Sequence, residues 1–184
     1  ETFLHCKNLR QISLPDSIKS IGKGAFRCCE KLEEISLPSS LEVIEEDAFA
    51  GCESLKYISF PASIKLIGKN AFKGCLGLSS VKLPEAIEKI SDGVFEGCRG
   101  LTSVFLSLRF PRKCMITRIG KRAFCGCTSL HSIELSDSLE VIEEAAFKDC
   151  KNLVSIEFPH SLKIIDAFAF QGCGNLTSIT IPHH

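Results

Sequence analysis

Cysteine is the residue type in this sequence best suited to chemistry, with eleven in 184 residues. Cys6, Cys29, Cys52, Cys75 and Cys98 follow one another at steps of 23, and Cys127, Cys150 and Cys173 resume that step after one interval of 29. Disulfides need matched side-chain vectors as well as proximity. Cysteines at one period point the same way and eleven is an odd number, so free, buried thiols are expected. Zinc prefers Cys-x-x-Cys spacings or Cys/His clusters. The close pairs here are only Cys28 with Cys29 and Cys125 with Cys127, and His5, His131 and His160 share no column of the repeat, so no metal or other cofactor is expected. Cys28, Cys114 and Cys125 lie off the ladder. No nucleophile, base and orienting group stand at related positions, and no glycine loop suits a phosphate. Glu134 and Glu157 share a column in adjacent repeats, which reads as solvated charge on an exposed sheet. The chain reads as a non-enzyme.

A fixed period of this length is the signature of a solenoid, in which each unit buries its apolar face only against its neighbours. Three residues after each ladder cysteine stands a leucine, from Leu9 and Leu32 to Leu176, and three further on an Ile or Val, from Ile12 to Ile179. Two residues later another apolar side chain completes L-x-x-I-x-L, whose closing alternation is strand spacing. Pro15, Pro38, Pro61, Pro84, Pro159 and Pro182 then stop the strand, since proline cannot donate to a ladder. A second apolar pair follows, as in Ile18 and Ile21, and then an Ala-Phe pair in every repeat except Val94-Phe95. A small residue beside a phenylalanine suggests a tight helical turn whose ring fills the interior. Gly51, Gly74, Gly97, Gly126 and Gly172, each just before a cysteine, fit positions of positive φ. The stacked strands are expected to form a parallel sheet with ~4.8 Å between coils.

The run L-x-x-I-x-L-P-x-S-I-K-x-I-G-x-x-A-F-x-G-C is carried by residues 55–75, LKYISFPASIKLIGKNAFKGC, with Phe60 at its last leucine. It resembles the BspA-like leucine-rich repeats of bacterial and protozoan surface proteins, over essentially the entire chain. The resemblance implies an α/β solenoid: a right-handed, curved superhelix with a parallel concave β-sheet, short helical turns at the Ala-Phe segments and little long helix. It also implies an extracellular or cell-surface location and, as in several members, adhesion to host or neighbouring-cell proteins. The family associates no catalytic residue with the repeat. Residues 1–182 read as one solenoid of about eight 23-residue repeats, incomplete at both ends. Phe3 and Cys6 match Phe26 and Cys29, as in a segment that opens in mid-repeat. Residues 183–184 read as a tag remnant or as native histidines.

The formal net charge is zero, which argues against nucleic acid or a membrane surface as partner of the whole chain. No apolar run approaches the ~20 residues that span a bilayer, so no membrane insertion is expected, and no signal peptide is visible. Charge alternates between repeats: Lys19, Glu42, Lys65 and Glu88 share one column, and Lys23, Glu46, Lys69, Asp92, Lys121 and Glu144 another. That pattern reads as a solvated face which also disfavours a one-repeat slip. LEVIEE recurs at 41–46 and 139–144, suggesting a 46-residue double unit.

Two places are candidates for binding. The outward positions of the main strands are mostly serine, and Tyr57, Phe105 and Lys82 interrupt them; exposed aromatics on a polar sheet suit a protein partner. The second is the break in the period, where six extra residues fall in SLRFPRKC, 107–114. It carries Arg109, Phe110, Arg112 and Lys113, followed by Arg118, Lys121 and Arg122, with no acid from 109 to 122. Insertions in solenoids form loops that often bind; a basic loop with an aromatic tip suits an acidic protein surface or an anionic glycan, and a tolerated surface loop is the plainer alternative. Asn175-Leu176-Thr177 matches a glycosylation sequon, relevant only in a eukaryotic secretory setting. The sequence reads best as a non-enzymatic, macromolecule-binding repeat module. The rival readings are a structural spacer or stalk without a ligand, and the recognition arm of a larger enzyme. Oligomeric state is left open.

Overall fold

A computed structural model describes residues 1–106 and 115–180. The chain forms a parallel β-solenoid with two short strands in each coil. The main strands are Gln11–Ser13, Glu34–Ser36, Tyr57–Ile58, Ser80–Leu83, Ser103–Leu106, Ser132–Ile133, Ser155–Glu157 and Ser178–Thr180. They stack in the expected register: Ile12 lies beside Ile35, Ile58 beside Val81, and Val81 beside Val104. A second series, Ser20–Ile21, Val43–Ile44, Leu66–Ile67, Lys89–Ile90, Arg118–Ile119, Val141–Ile142 and Ile164–Ile165, pairs in parallel as two sheets that divide between Leu66–Ile67 and Lys89–Ile90. The sequence pattern left this second apolar pair unassigned.

The interior is one continuous column. The ladder leucines and the inward Ile or Val of most coils are buried, as are the alanines and phenylalanines of the Ala-Phe pairs from Phe26 to Phe147. Eight rings, from Phe3 through Phe26, Phe49, Phe72, Phe95, Phe124 and Phe147 to Phe170, stack face to face. Their centroids are 5.1 Å apart at the narrowest step and 5.7 Å at the widest. Offset stacking of this kind contributes about 0.5–1.5 kcal/mol per pair beyond the area buried. The interval of 29 residues leaves the column intact. Ile119 pairs with Ile90, and Phe95 stacks on Phe124 at 5.6 Å.

The expected helical turns are corrected by the structure: no helix occurs among the described residues. The Ala-Phe segment is instead a run of turns whose amides alternate between two sets of acceptors. Asp47, Phe49 and Gly51 donate to Lys69, Ala71 and Lys73 of the next coil at 2.9, 2.8 and 2.7 Å. Ala48, Ala50 and Cys52 donate back to Glu45, Asp47 and Phe49 within their own coil at 3.3, 3.0 and 3.1 Å. With every second donor directed along the solenoid, no i to i−4 ladder can form. Two residues per segment also adopt positive φ, here Asp47 at 55° and Gly51 at 74°, which interrupts a right-handed helix. The glycines before the cysteines do occupy this conformation. The position two residues before each phenylalanine adopts it as well, even where Arg122, Ala145 or Phe168 stands there at 54°, 54° and 59°.

The cysteine ladder is part of this scaffold. The ten described cysteines are free, and those from Cys29 to Cys150 on the ladder are buried. Their thiols donate to the phenylalanine carbonyl of the preceding coil: Cys52 to Phe26, Cys75 to Phe49 and Cys98 to Phe72, at 3.1, 3.2 and 3.1 Å. Cys127, Cys150 and Cys173 repeat the bond to Phe95, Phe124 and Phe147. Burial pushes these thiols up, that of Cys98 to about 12, and disfavours the nucleophilic thiolate. In native protein, iodoacetamide should therefore modify the exposed Cys6 and spare Cys52, Cys75, Cys98, Cys127 and Cys150 until denaturant is added. Peptide mass spectrometry checks this; ladder thiols alkylated at the rate of Cys6 would contradict it.

Candidate functional site

Side chains that point away from the column line the main sheet. Tyr57 and Phe105 are 49% and 47% exposed there, in contrast to the buried rings of the stacked column. The parallel register puts Lys82 directly beside Phe105. Tyr57 lies in the neighbouring column, followed by Ser80 and then Ser103. The two rings therefore do not touch. They lie two coils apart, about 9.6 Å along the stack, with Ser80 and Lys82 on the coil between. The nearby Glu34 carboxylate raises the Tyr57 phenol above its ordinary value. Lys82 makes no ion pair among the described residues. Further along the same face Glu134 and Glu157 line a hollow of about 340 Å³ with Asp137. The sheet is thus aromatic and basic in its middle and acidic toward its C-terminal coils. No group of three or more His, Cys, Asp or Glu among the described residues is arranged to hold a metal ion.

The loop candidates Arg109, Phe110, Arg112 and Lys113 lie outside the described residues. The cations that follow them are in place, and each is matched by an acid from a neighbouring coil. Arg118 pairs with Glu143, Lys121 with Glu144 at 3.4 Å, and Arg122 with Glu96 at 2.5 Å. Arg118, Lys121 and Arg122 are therefore not uncompensated, because in a solenoid the spatial neighbours are about 23 residues away. The alternating columns behave as expected in part: Lys23 pairs with Glu46 at 2.9 Å and Lys65 with Glu42 at 2.6 Å. Each such exposed pair contributes only about 0–1 kcal/mol.

Glu96 is the best-matched carboxylate, and sequence reading did not single it out. Its Oε1 accepts Nε and Nη2 of Arg122 at 3.1 and 2.5 Å, and its Oε2 lies 3.2 Å from the Lys73 ammonium. Burial alone would raise this carboxyl, but the bonds from Arg122 and Lys73 outweigh it and hold the group below its ordinary 4.5.

The chain belongs to the BspA-type leucine-rich repeat family, whose model matches residues 1–112 and 105–184 with six copies of the repeat. Solved structures agree. A leucine-rich repeat protein from Eubacterium ventriosum is 25% identical over 98% of this chain and 45% of its own, with a TM-score of 0.81. The leucine-rich repeat protein of T. pallidum is 35% identical over 82% of this chain and 68% of its own, with a TM-score of 0.72. A leucine-rich cell surface protein from Faecalibacterium prausnitzii is 26% identical over 97% of this chain and 61% of its own, with a TM-score of 0.57. The chain thus spans under half the length of the first of these and about two thirds of the second. Among curated proteins, none matches.

The Glu96 cluster gives a pH dependence with a definite sign. A depressed carboxylate stabilises the fold above its unfolded value, and that contribution is lost as pH falls through the folded one. Glu96→Gln should cost roughly 1 kcal/mol at pH 7. The melting temperature of the variant should fall less steeply than that of the native protein as pH drops below 4.5. Parallel melting curves from neutral to acid pH would refute the role given to Glu96.

Proposed function

We propose that this chain is a non-enzymatic recognition module, displayed at a cell surface, that binds a protein partner through the middle of its main sheet. The observation that carries the reading is the placement of Tyr57 and Phe105, half exposed on a serine-lined sheet, with Lys82, which has no ion pair among the described residues, beside Phe105. Rigid aromatic side chains supply large contact area at low entropic cost. The solenoid beneath them is ordered before any partner arrives, so binding orders only the side chains. The name of the F. prausnitzii relative as a cell surface protein supports the location. The segment 107–114 follows Leu106, the last residue of the strand that carries Phe105. Arg109, Phe110, Arg112 and Lys113 are proposed as an adjoining contact to an acidic protein surface or an anionic glycan. No cofactor, nucleic acid or membrane insertion enters this reading.

Capture of ligands from extracts of host or neighbouring cells tests it. The double substitution Tyr57→Ser/Phe105→Ser should abolish most of the capture, at about 2 kcal/mol or more for a central aromatic anchor, and leave the melting temperature unchanged. Replacement of Arg109, Phe110, Arg112 and Lys113 by serine should weaken it further. Capture undiminished by these changes would refute the assignment. No capture by the intact chain would favour the spacer, and a catalytic domain elsewhere in the full-length protein the recognition arm.

A further inference from the structure

The second series of strands carries a groove that the main-sheet reading leaves unused. Its outward column reads Val43 beside Leu66 in one sheet and Lys89, Arg118 and Val141 side by side in the next, with Leu66 and Lys89 at equivalent positions of successive repeats. Lys89 stands directly beside Arg118, a like-charge arrangement that neighbouring strands disfavour. Arg118 is compensated by Glu143. Lys89 has no ion pair among the described residues, and neither has Lys69 across the groove.

The hollow itself is built into the repeat. Glu45 and Glu143 occupy one column position, and each accepts a backbone N–H from the coil before it, that of Lys23 at 2.9 Å and that of Lys121 at 3.1 Å. In the three coils between them the same position is Gly68, Ser91 and Gly120. A Cβ on Gly68 would stand 2.6 Å from the Glu45 carbonyl carbon, and one on Gly120 2.8 Å from the Asp92 nitrogen, so close packing of the coils keeps both sites bare. The result is a groove of about 730 Å³. It runs through Leu66, Lys89 and Arg118 into a second hollow of about 590 Å³. The acids along the first hollow are engaged: Glu46 by Lys23, Asp92 by the Lys121 N–H, and Glu143 by Arg118. The ammonium groups of Lys69 and Lys89 are left without an ion pair among the described residues. Asp92, held only by a backbone N–H, lines the first hollow with them, and Glu88 lines the second.

Charge and apolarity are also sorted along the column. Val43 and Leu66 adjoin, with Leu66 40% exposed, and the next two coils present Lys89 and Arg118. Four coils span about 14 Å, the reach of four to five residues of extended chain. We infer that this groove binds an extended peptide segment of a partner protein, apolar at the end that meets Val43 and Leu66 and acidic at the end that meets Lys89 and Lys69. An anionic polysaccharide would satisfy the two lysines and leave Leu66 uncovered. The site is independent of the main-sheet patch, so either assignment can fail alone.

Backbone amide NMR of the labelled chain tests the inference, with acetyl-Val-Ser-Leu-Ser-Glu-Ser-Glu-amide as the probe. Its alternate residues place two apolar and two acidic side chains on one face. Titration should shift the amides of Leu66, Gly68, Lys89 and Ser91 and leave those of Tyr57 and Phe105 in place. The twin peptide with both glutamates replaced by glutamine should bind roughly fivefold or more weakly, as should the peptide toward Lys69→Gln/Lys89→Gln. Tyr57→Ser/Phe105→Ser should leave the titration unchanged. The inference is overturned by the absence of shifts up to about 1 mM peptide, by equal binding of the twin, or by shifts confined to the main sheet. It is overturned equally if a heparin oligosaccharide shifts the groove amides and the peptide does not.

Discussion

Stacking of one phenylalanine per coil on the next is the constraint from which the rest of this molecule follows. A solenoid coil has no core of its own, and it buries its apolar side chains only by presenting them to the coils above and below. The ring column ties this burial to one geometry. Neighbouring rings lie within 16° of parallel along its whole length, so each coil must repeat the rotation and rise of the last. The rings are held from the backbone side as well. Each interior phenylalanine N–H donates to the alanine or valine one coil on, as Phe72 does to Val94 at 2.9 Å. Its carbonyl accepts a thiol from the coil on which its ring stacks. The two widest ring spacings, 5.7 and 5.6 Å, flank Phe95, where Val94 replaces the alanine found beside the other rings from Phe26 to Phe170. A larger side chain at a packed position is accommodated by a small local expansion, and the column continues across it.

Much of this was legible because each position of the repeat faces one environment. Reading down columns identified the inward leucines, the main strands and their register, the buried thiols and the glycines of positive φ. The turn geometry was not legible. An Ala-Phe pair between small residues suits a helical turn when its hydrogen bonds are sought within the segment, and here half of them leave for the next coil. The left-handed positions occupied by Asp47, Asn70, Arg122 and Ala145 carry no glycine to announce them. Charge was misread for a related reason. Arg118, Lys121 and Arg122 look uncompensated along the chain because Glu143, Glu144 and Glu96 are 23 to 26 residues away. The groove over Gly68, Ser91 and Gly120 was missed because a hollow is a missing side chain, visible only when the coils on either side are known to fill the same position.

The division between scaffold and surface explains how such a fold can carry recognition. Core positions are tied to the column and have little freedom to vary, whereas outward positions of both strand series are released from it. Tyr57, Phe105 and Lys82 on one face, and Lys69 and Lys89 on the other, are departures from the serines, aliphatics and paired charges found at equivalent positions in other coils. Departures of this kind add nothing to the stacking, which is why they are the residues to which binding is assigned.

The central claim is that ring stacking couples each coil to both neighbours. Native-state hydrogen exchange of Phe72→Ala tests it most directly. The account predicts a loss of about 3–5 kcal/mol of stability, with faster exchange at the Phe49 and Phe95 amides as well as within the substituted coil. A loss under about 1 kcal/mol, or faster exchange confined to the coil that carries the substitution, would contradict it.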